Sequence, residues 1–176
     1  METHGGWRIY FAGPDVFEVD ARERLDRLQA LATAHGLQGL VPVDEAGAGE
    51  RAANAARICR ANLALLREAD AVVANLRPFR GLEPDSGTVF EVGFAVARGI
   101  PVVAYGVPPG TYAQRVSAAL PCAVDEAGVL REVHGRAAVE DFDLPANLML
   151  CITAAALVPT AEEAIARVAA LARAGR

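Results

Sequence analysis

Apolar positions along the chain follow two rhythms that take turns. Residues 7–12 form a short aromatic and β-branched run closed by Gly13-Pro14, which predicts a strand and then a turn. From Asp20 the spacing lengthens. Leu25, Leu28, Leu31 and Ala32 share one face of a helix that Gly36 ends. Residues 37–43 predict a second strand, ended by Pro42 and Asp44, and 46–50 a glycine-containing loop. Ile58, Ala61, Leu65 and Ala69 line an amphipathic helix. The continuous apolar run 70–76 predicts a strand covered on both faces. A proline- and glycine-bearing loop follows at 77–85, then a helix from about Gly87 to Arg98, closed by Gly99. Residues 100–105 form the next buried strand. A Pro/Gly loop (106–110), a helix near 112–119 and a short strand at 121–124 come after it. The rest reads as helical, over 130–133, 147–157 and 160–174, the last with a stripe of Ile165, Val168 and Leu171.

Strands alternating with helices predict an α/β fold: a three-layer, doubly wound, flavodoxin- or Rossmann-like parallel sheet of about five strands, in the order 2-1-3-4-5. Its switch point lies between the first and third strands, and ligands bind beyond their carboxyl ends. The unusual residues cluster there, at 10–17 and 75–91.

Composition narrows the chemistry. The 176 residues suit one domain spanning 1–176, and 53% hydrophobic with 22% charged residues excludes a disordered chain. All 17 Lys+Arg residues are Arg. A chain without lysine has no Schiff-base enzyme chemistry and no P-loop lysine. A net charge of −5 argues against nucleic acid as a partner. Cys59, Cys122 and Cys151 lie far apart with no CxxC spacing, and His4, His35 and His134 are scattered, so no metal site is expected. The N-terminus lacks the pattern of a signal peptide, and no apolar run is long enough for a membrane span. A soluble cytoplasmic protein is the expectation.

The segment 75–91 carries the candidate chemistry. It sets Asp85 at a loop end and Glu91 in the first turn of the next helix, where the free N–H groups favour an anion. Asp70 precedes the strand that feeds it. An ionised, desolvated carboxylate can attack a sugar carbon, while a second carboxylate protonates the leaving group. A plainer reading stays open. Thr88-Val-Phe-Glu91 fits a capping box, Asp85 fits a turn or N-cap, and Asp70 fits a helix-to-strand junction.

Three motifs resemble nucleoside 2-deoxyribosyltransferases. They are Tyr10-Phe-Ala-Gly-Pro-Asp-Val-Phe17, then Asn75 to Gly81 with Asp85-Ser-Gly-Thr-Val-Phe-Glu-Val-Gly-Phe-Ala95, then Asn147-Leu-Met-Leu150. The resemblance runs in order over nearly the whole chain. It implies that Glu91 is the nucleophile attacking C1′ of a 2′-deoxynucleoside, that Tyr10 orients it, and that Asp85 exchanges a proton with the base. It matches Asp70 to an aspartate near the base. Gly13, Asn75 and Gly87 fall in the motifs that bind substrate. Phe17 and Phe79 are either base-stacking or core. Asn147 and Met149 match residues that reach a neighbouring subunit's site, which implies a homo-oligomer; without the resemblance, Asn147 is equally a helix N-cap. The implied partners are a 2′-deoxynucleoside donor and a free nucleobase acceptor, with no cofactor. Purine or mixed base range stays open. Two alternatives share the site: an N-glycosidase acting on deoxynucleosides or their 5′-monophosphates, and a non-catalytic nucleoside-sensing module. Arg77 and Arg80 suit a phosphate, or else are solvated or ion-paired. Asp44, at the same sheet edge, reads as a turn residue or else a substrate contact, and 45–51 as a solvated loop. Compact relatives end near Asn147, so 147–176 reads as a helical C-terminal extension.

Overall fold

The computed structural model describes residues 6–42 and 50–175. Strands β1 (Arg8–Ala12), β2 (Gln38–Leu40), β3 (Ala71–Asn75), β4 (Val102–Tyr105) and β7 (Ala156–Val158) form one sheet in the order β2-β1-β3-β4-β7, with every pair parallel. Helices α1 (Ala21–Ala34), α2 (Arg51–Glu68), α3 (Ser86–Ala97), α4 (Tyr112–Ala119), α5 (Leu148–Thr153) and α6 (Ala161–Ala174) are interposed. The short strands β5 (Cys122–Val124) and β6 (Leu130–Glu132) pair antiparallel, apart from the main sheet.

Alternation along the strands builds two cores. Ile9 and Phe11 of β1 and Val73 of β3 face α1 and α6, packing with Leu28, Ile165 and Val168. Tyr10, Ala12, Val72 and Ala74 face the other way and pack with Leu66 of α2 and Val92 and Ala95 of α3. Successive side chains on a strand point to opposite faces. That parity sends the Tyr10 ring toward α3. Each fully buried Val or Ile contributes about 1.5–3 kcal/mol, so both faces are strongly held.

The sheet order agrees with the expectation from sequence, but the fifth strand is a different segment. Residues 147–157 were expected to be helical. Instead α5 ends at Thr153, and Ala155 N donates to Val102 O at 2.8 Å, leading the chain into β7. A short run buried on both sides carries no period that separates helix from strand. The stretch 147–176 is therefore not a helical appendage: it supplies an edge strand and a helix with Ile165 and Val168 fully buried. Strand 121–124 forms as β5, outside the main sheet. Residues 130–133 are not helical but give β6. Asp125 organises this hairpin by accepting from the N–H groups of Ala127 and Val129 at 2.9 Å each and from Arg131 Nε at 2.6 Å. Four residues cannot repay helix nucleation, whereas a side-chain-stabilised turn closes locally. The second strand is shorter than 37–43, and Val43, Asp44 and the loop at 46–49 lie outside the described residues, as does His4. No helix among the described residues is long and apolar enough to cross a membrane.

Candidate active site

The switch point between β1 and β3 opens into a cleft of about 330 Å³. The chain after β1 gives it Gly13, Val16 and Phe17. Helix α2 gives Ile58 and Asn62, Pro42 follows β2, and α3 gives Asp85, Gly87, Thr88 and Glu91. At its base the Tyr10 hydroxyl donates to Glu91 Oε1 at 2.5 Å. Tyr10 is fully buried.

The environment sets both protonation states. Burial pushes the Glu91 carboxyl up to about 7; the Tyr10 hydrogen bond opposes that shift and the Asp85 charge adds to it. Burial, then the negative charge of Glu91, pushes the Tyr10 hydroxyl well above its ordinary range, so it stays protonated and remains a donor. Glu91 was expected in the first turn of its helix, stabilised by free N–H groups. The helix begins at Ser86, which puts Glu91 in the second turn, where N–H groups are already spent on the helix ladder. Its anion is held by one hydroxyl, not by the helix terminus.

Asp85 caps α3. Its Oδ2 accepts from Thr88 N at 2.9 Å and Thr88 Oγ1 at 3.2 Å. The capping role that spacing offered to Thr88 and Glu91 thus belongs to Asp85, and Glu91 is released for the cleft. Asp85 is cap and cleft residue at once, and its Oδ1 takes no hydrogen bond from a described residue. Gly87 lies beside it, where a Cβ would stand 3.0 Å from Asp85 Oδ2.

Gly13 serves close packing. A Cβ there would stand 2.8 Å from Asp15 Oδ2 and 2.9 Å from Asn75 Cβ. Asn75 is behind the cleft wall, not in it. It is buried, its Nδ2 donates to Asp15 Oδ2 at 2.9 Å, and its Oδ1 accepts from Arg77 N at 3.2 Å. Phe17 lines the cleft, while Phe79 backs it, with ring centroids 5.3 Å apart in a stacked pair. Arg77 is ion-paired with Glu18.

Asp70 is not brought to the site. Its Oδ2 accepts from Arg8 N at 2.7 Å, at the amino edge of the sheet. The cleft is at the carboxyl edge, about 17 Å along β3. The junction reading of Asp70 is the one its geometry fits. Asn147 and Met149 also stand outside the cleft. Asn147 caps α5, accepting from Met149 N at 3.0 Å and donating from Nδ2 to Glu140 Oε1 at 2.8 Å, while Met149 is 62% exposed.

Val16 lies in the first motif, whereas Pro42, Ile58 and Asn62 line the cleft from outside every motif. The signal was there for α2: Ile58 and Asn62 are four apart, hence on one helix face. The same face was read as an apolar stripe facing the core. Among the described residues no group of three or more His, Cys, Asp or Glu stands close enough to hold a metal ion.

The model of the family described as nucleoside 2-deoxyribosyltransferase matches residues 9–149. A structure described as a 2-desoxiribosyltransferase from Leishmania mexicana superposes with a TM-score of 0.74 at 30% identity, covering 93% of this chain and 97% of that one. A conserved protein from Enterococcus faecalis shares the fold, with a TM-score of 0.57 at 21% identity over 93% of this chain and 97% of its own. An uncharacterized protein of Schizosaccharomyces pombe is 31% identical over 113 residues; the match takes in 61% of this chain and about half, 54%, of that protein.

Proposed function

The chain belongs to the nucleoside 2-deoxyribosyltransferase family, and from that premise we propose that it moves the 2-deoxyribosyl group between nucleobases through a covalent intermediate on Glu91. The observation that carries the reading is the Tyr10–Glu91 pair at 2.5 Å beneath a cleft whose rim holds Asp85.

In the first half-reaction a Glu91 carboxylate oxygen attacks C1′. The C1′–N bond breaks, its electron pair goes to the base, and Asp85 gives a ring nitrogen its proton. The second base attacks C1′ from the opposite side, returns a proton to Asp85 and frees Glu91. Two inversions give net retention, the logic of a retaining glycosidase with a base in place of water. Tyr10 holds the attacking group while its own proton stays in place. The transition state is cation-like at the sugar; the Glu91 carboxylate stabilises it, joined by Asp85 as its proton passes to the departing base. Base exchange is nearly thermoneutral, so the scheme calls for no cofactor.

The base takes the Phe17 side of the cleft and the sugar the carboxylate side. Asn62, whose amide both donates and accepts, stands within reach of either. A homo-oligomer belongs to the same proposal. Phe90 on α3 and Met149 and Ile152 on the adjoining α5 are 58%, 62% and 70% exposed, an apolar group suited to a second copy. A cytoplasmic setting also belongs to it, consistent with three free cysteines.

Incubation with deoxyinosine and adenine tests the proposal. Deoxyadenosine and hypoxanthine are the expected products, and Glu91→Ala removes them. No exchange with any donor–acceptor pair would overturn it. Free deoxyribose released equally with and without acceptor would assign hydrolysis to the same site.

A further inference from the structure

We infer that Arg80 selects the base: its guanidinium donates to the O6 oxygen of a 6-oxopurine, hypoxanthine or guanine, and discriminates against adenine. The inference rests on the transferase reading for where the base lies.

The cleft is lined by two carboxylates, Asp85 and Glu91, and by the apolar Val16, Phe17, Pro42 and Ile58. C1′ must reach Glu91, so the flat base takes the apolar lining, against Phe17. Substituents on the far edge of the base then project past the Phe17 ring. Arg80 is what stands there. Its guanidinium carbon is 5.7 Å from the Phe17 centroid and 4.7 Å from the Phe79 centroid.

A guanidinium seated on aromatic faces is attracted by the ring quadrupoles and keeps its N–H donors directed outward in its own plane. The stacked Phe17–Phe79 pair therefore fixes the cation without using its hydrogen bonds. Arg77, three residues earlier, is unlike it, being paired with Glu18. Arg80 makes no hydrogen bond or ion pair with any described residue. Its backbone is also left-handed, with φ 56°, a region sparsely used by residues that carry a Cβ. Arg80 thus carries donors that no described residue engages, beside the ring that lines the cleft.

The purines differ at that edge. Hypoxanthine and guanine present an acceptor at position 6, whereas adenine presents an amino donor. Arg80 satisfies the first. Against the second, donor meets donor, and the hydrogen bond is not made. A 5′-phosphate does not fit the same role. It hangs from the sugar, at the opposite end of the nucleoside from the ring that Phe17 faces.

Glu91→Gln protein, which holds a nucleoside without turning it over, allows binding to be measured by calorimetry with and without Arg80→Ala. Deoxyinosine binding is expected to weaken about 10-fold on Arg80→Ala, and deoxyadenosine binding to change by less than about 2-fold. Arg80→Lys is expected to recover part of the deoxyinosine loss. Equal weakening of both nucleosides, no weakening of either, or a loss confined to 5′-phosphorylated ligands would overturn the assignment. Exchange by the wild-type protein, run in parallel, separates the two readings. Absent exchange with selective binding intact removes the transferase and keeps Arg80. Intact exchange with unselective binding removes Arg80 alone.

Discussion

The Tyr10 hydroxyl and the Glu91 carboxylate meet at 2.5 Å although 81 positions separate them in the chain. This contact joins β1 to α3 and is the one hydrogen bond that Glu91 accepts from a described residue. It opposes the burial that keeps Glu91 from ionising.

Activity should therefore rise with pH as Glu91 ionises, with a midpoint near 7. Tyr10→Phe removes the one contact that lowers this pKa, so the rising limb of kcat/KM should move to higher pH and kcat should fall. The pH–rate profile of the two proteins checks this. An unmoved limb with only a uniform loss of rate would count against Tyr10 as the group that sets Glu91.

Stability should respond in the opposite sense. The folded-state pKa of Glu91, about 7, lies above the ordinary value of 4.5. Its neutral form is favoured by folding, so its contribution is complete below about 4.5 and declines as pH rises to about 7. The slope is at most about 1.4 kcal/mol per pH unit. Glu91→Gln stays neutral, and its Tm should therefore gain on the wild type across that window. Parallel Tm-versus-pH curves would refute this.

Asp70→Ala should spare exchange and lower stability by about 1 kcal/mol, the usual worth of one hydrogen bond. The lost bond is the one its Oδ2 accepts from Arg8 N. Denaturant unfolding beside initial rates separates the two effects. A large loss of rate at unchanged stability would return Asp70 to the substrate.

Gly13→Ala should be destabilising by about 1–3 kcal/mol, as overpacked sites generally are. The added Cβ would stand 2.8 Å from Asp15 Oδ2 and 2.9 Å from Asn75 Cβ, so the buried Asp15–Asn75 pair must part or β1's exit must shift. Since the same exit carries Val16 and Phe17 into the cleft, KM should rise along with the loss of Tm.

Much of this protein was already determined by local pattern. Short apolar runs mark β1 and β4, a helical stripe marks α1, and glycine stops close β1, α1 and α3, because each element's pattern and its breakers lie within a few neighbours. The motif around Glu91 identified the nucleophile candidate for the same reason, since its residues adjoin in sequence. What tertiary structure alone decided is where distant segments go. The fifth strand comes from 156–158 and not from 121–124, because strand choice depends on which segment pairs with Val103 and Tyr105, a contact no local window contains. Asp70 and Asn75 belong to one short stretch of chain, yet a strand carries them to opposite edges of the sheet, and the cleft of Glu91 lies at the latter edge. Glu91 escaped its expected cap because Asp85 took it, and its raised pKa comes from being buried, which depends on what packs around it from β1 and α2. Periodicity reports which side of an element is covered; it does not report by what, and the chemistry of this cleft lies in that second fact.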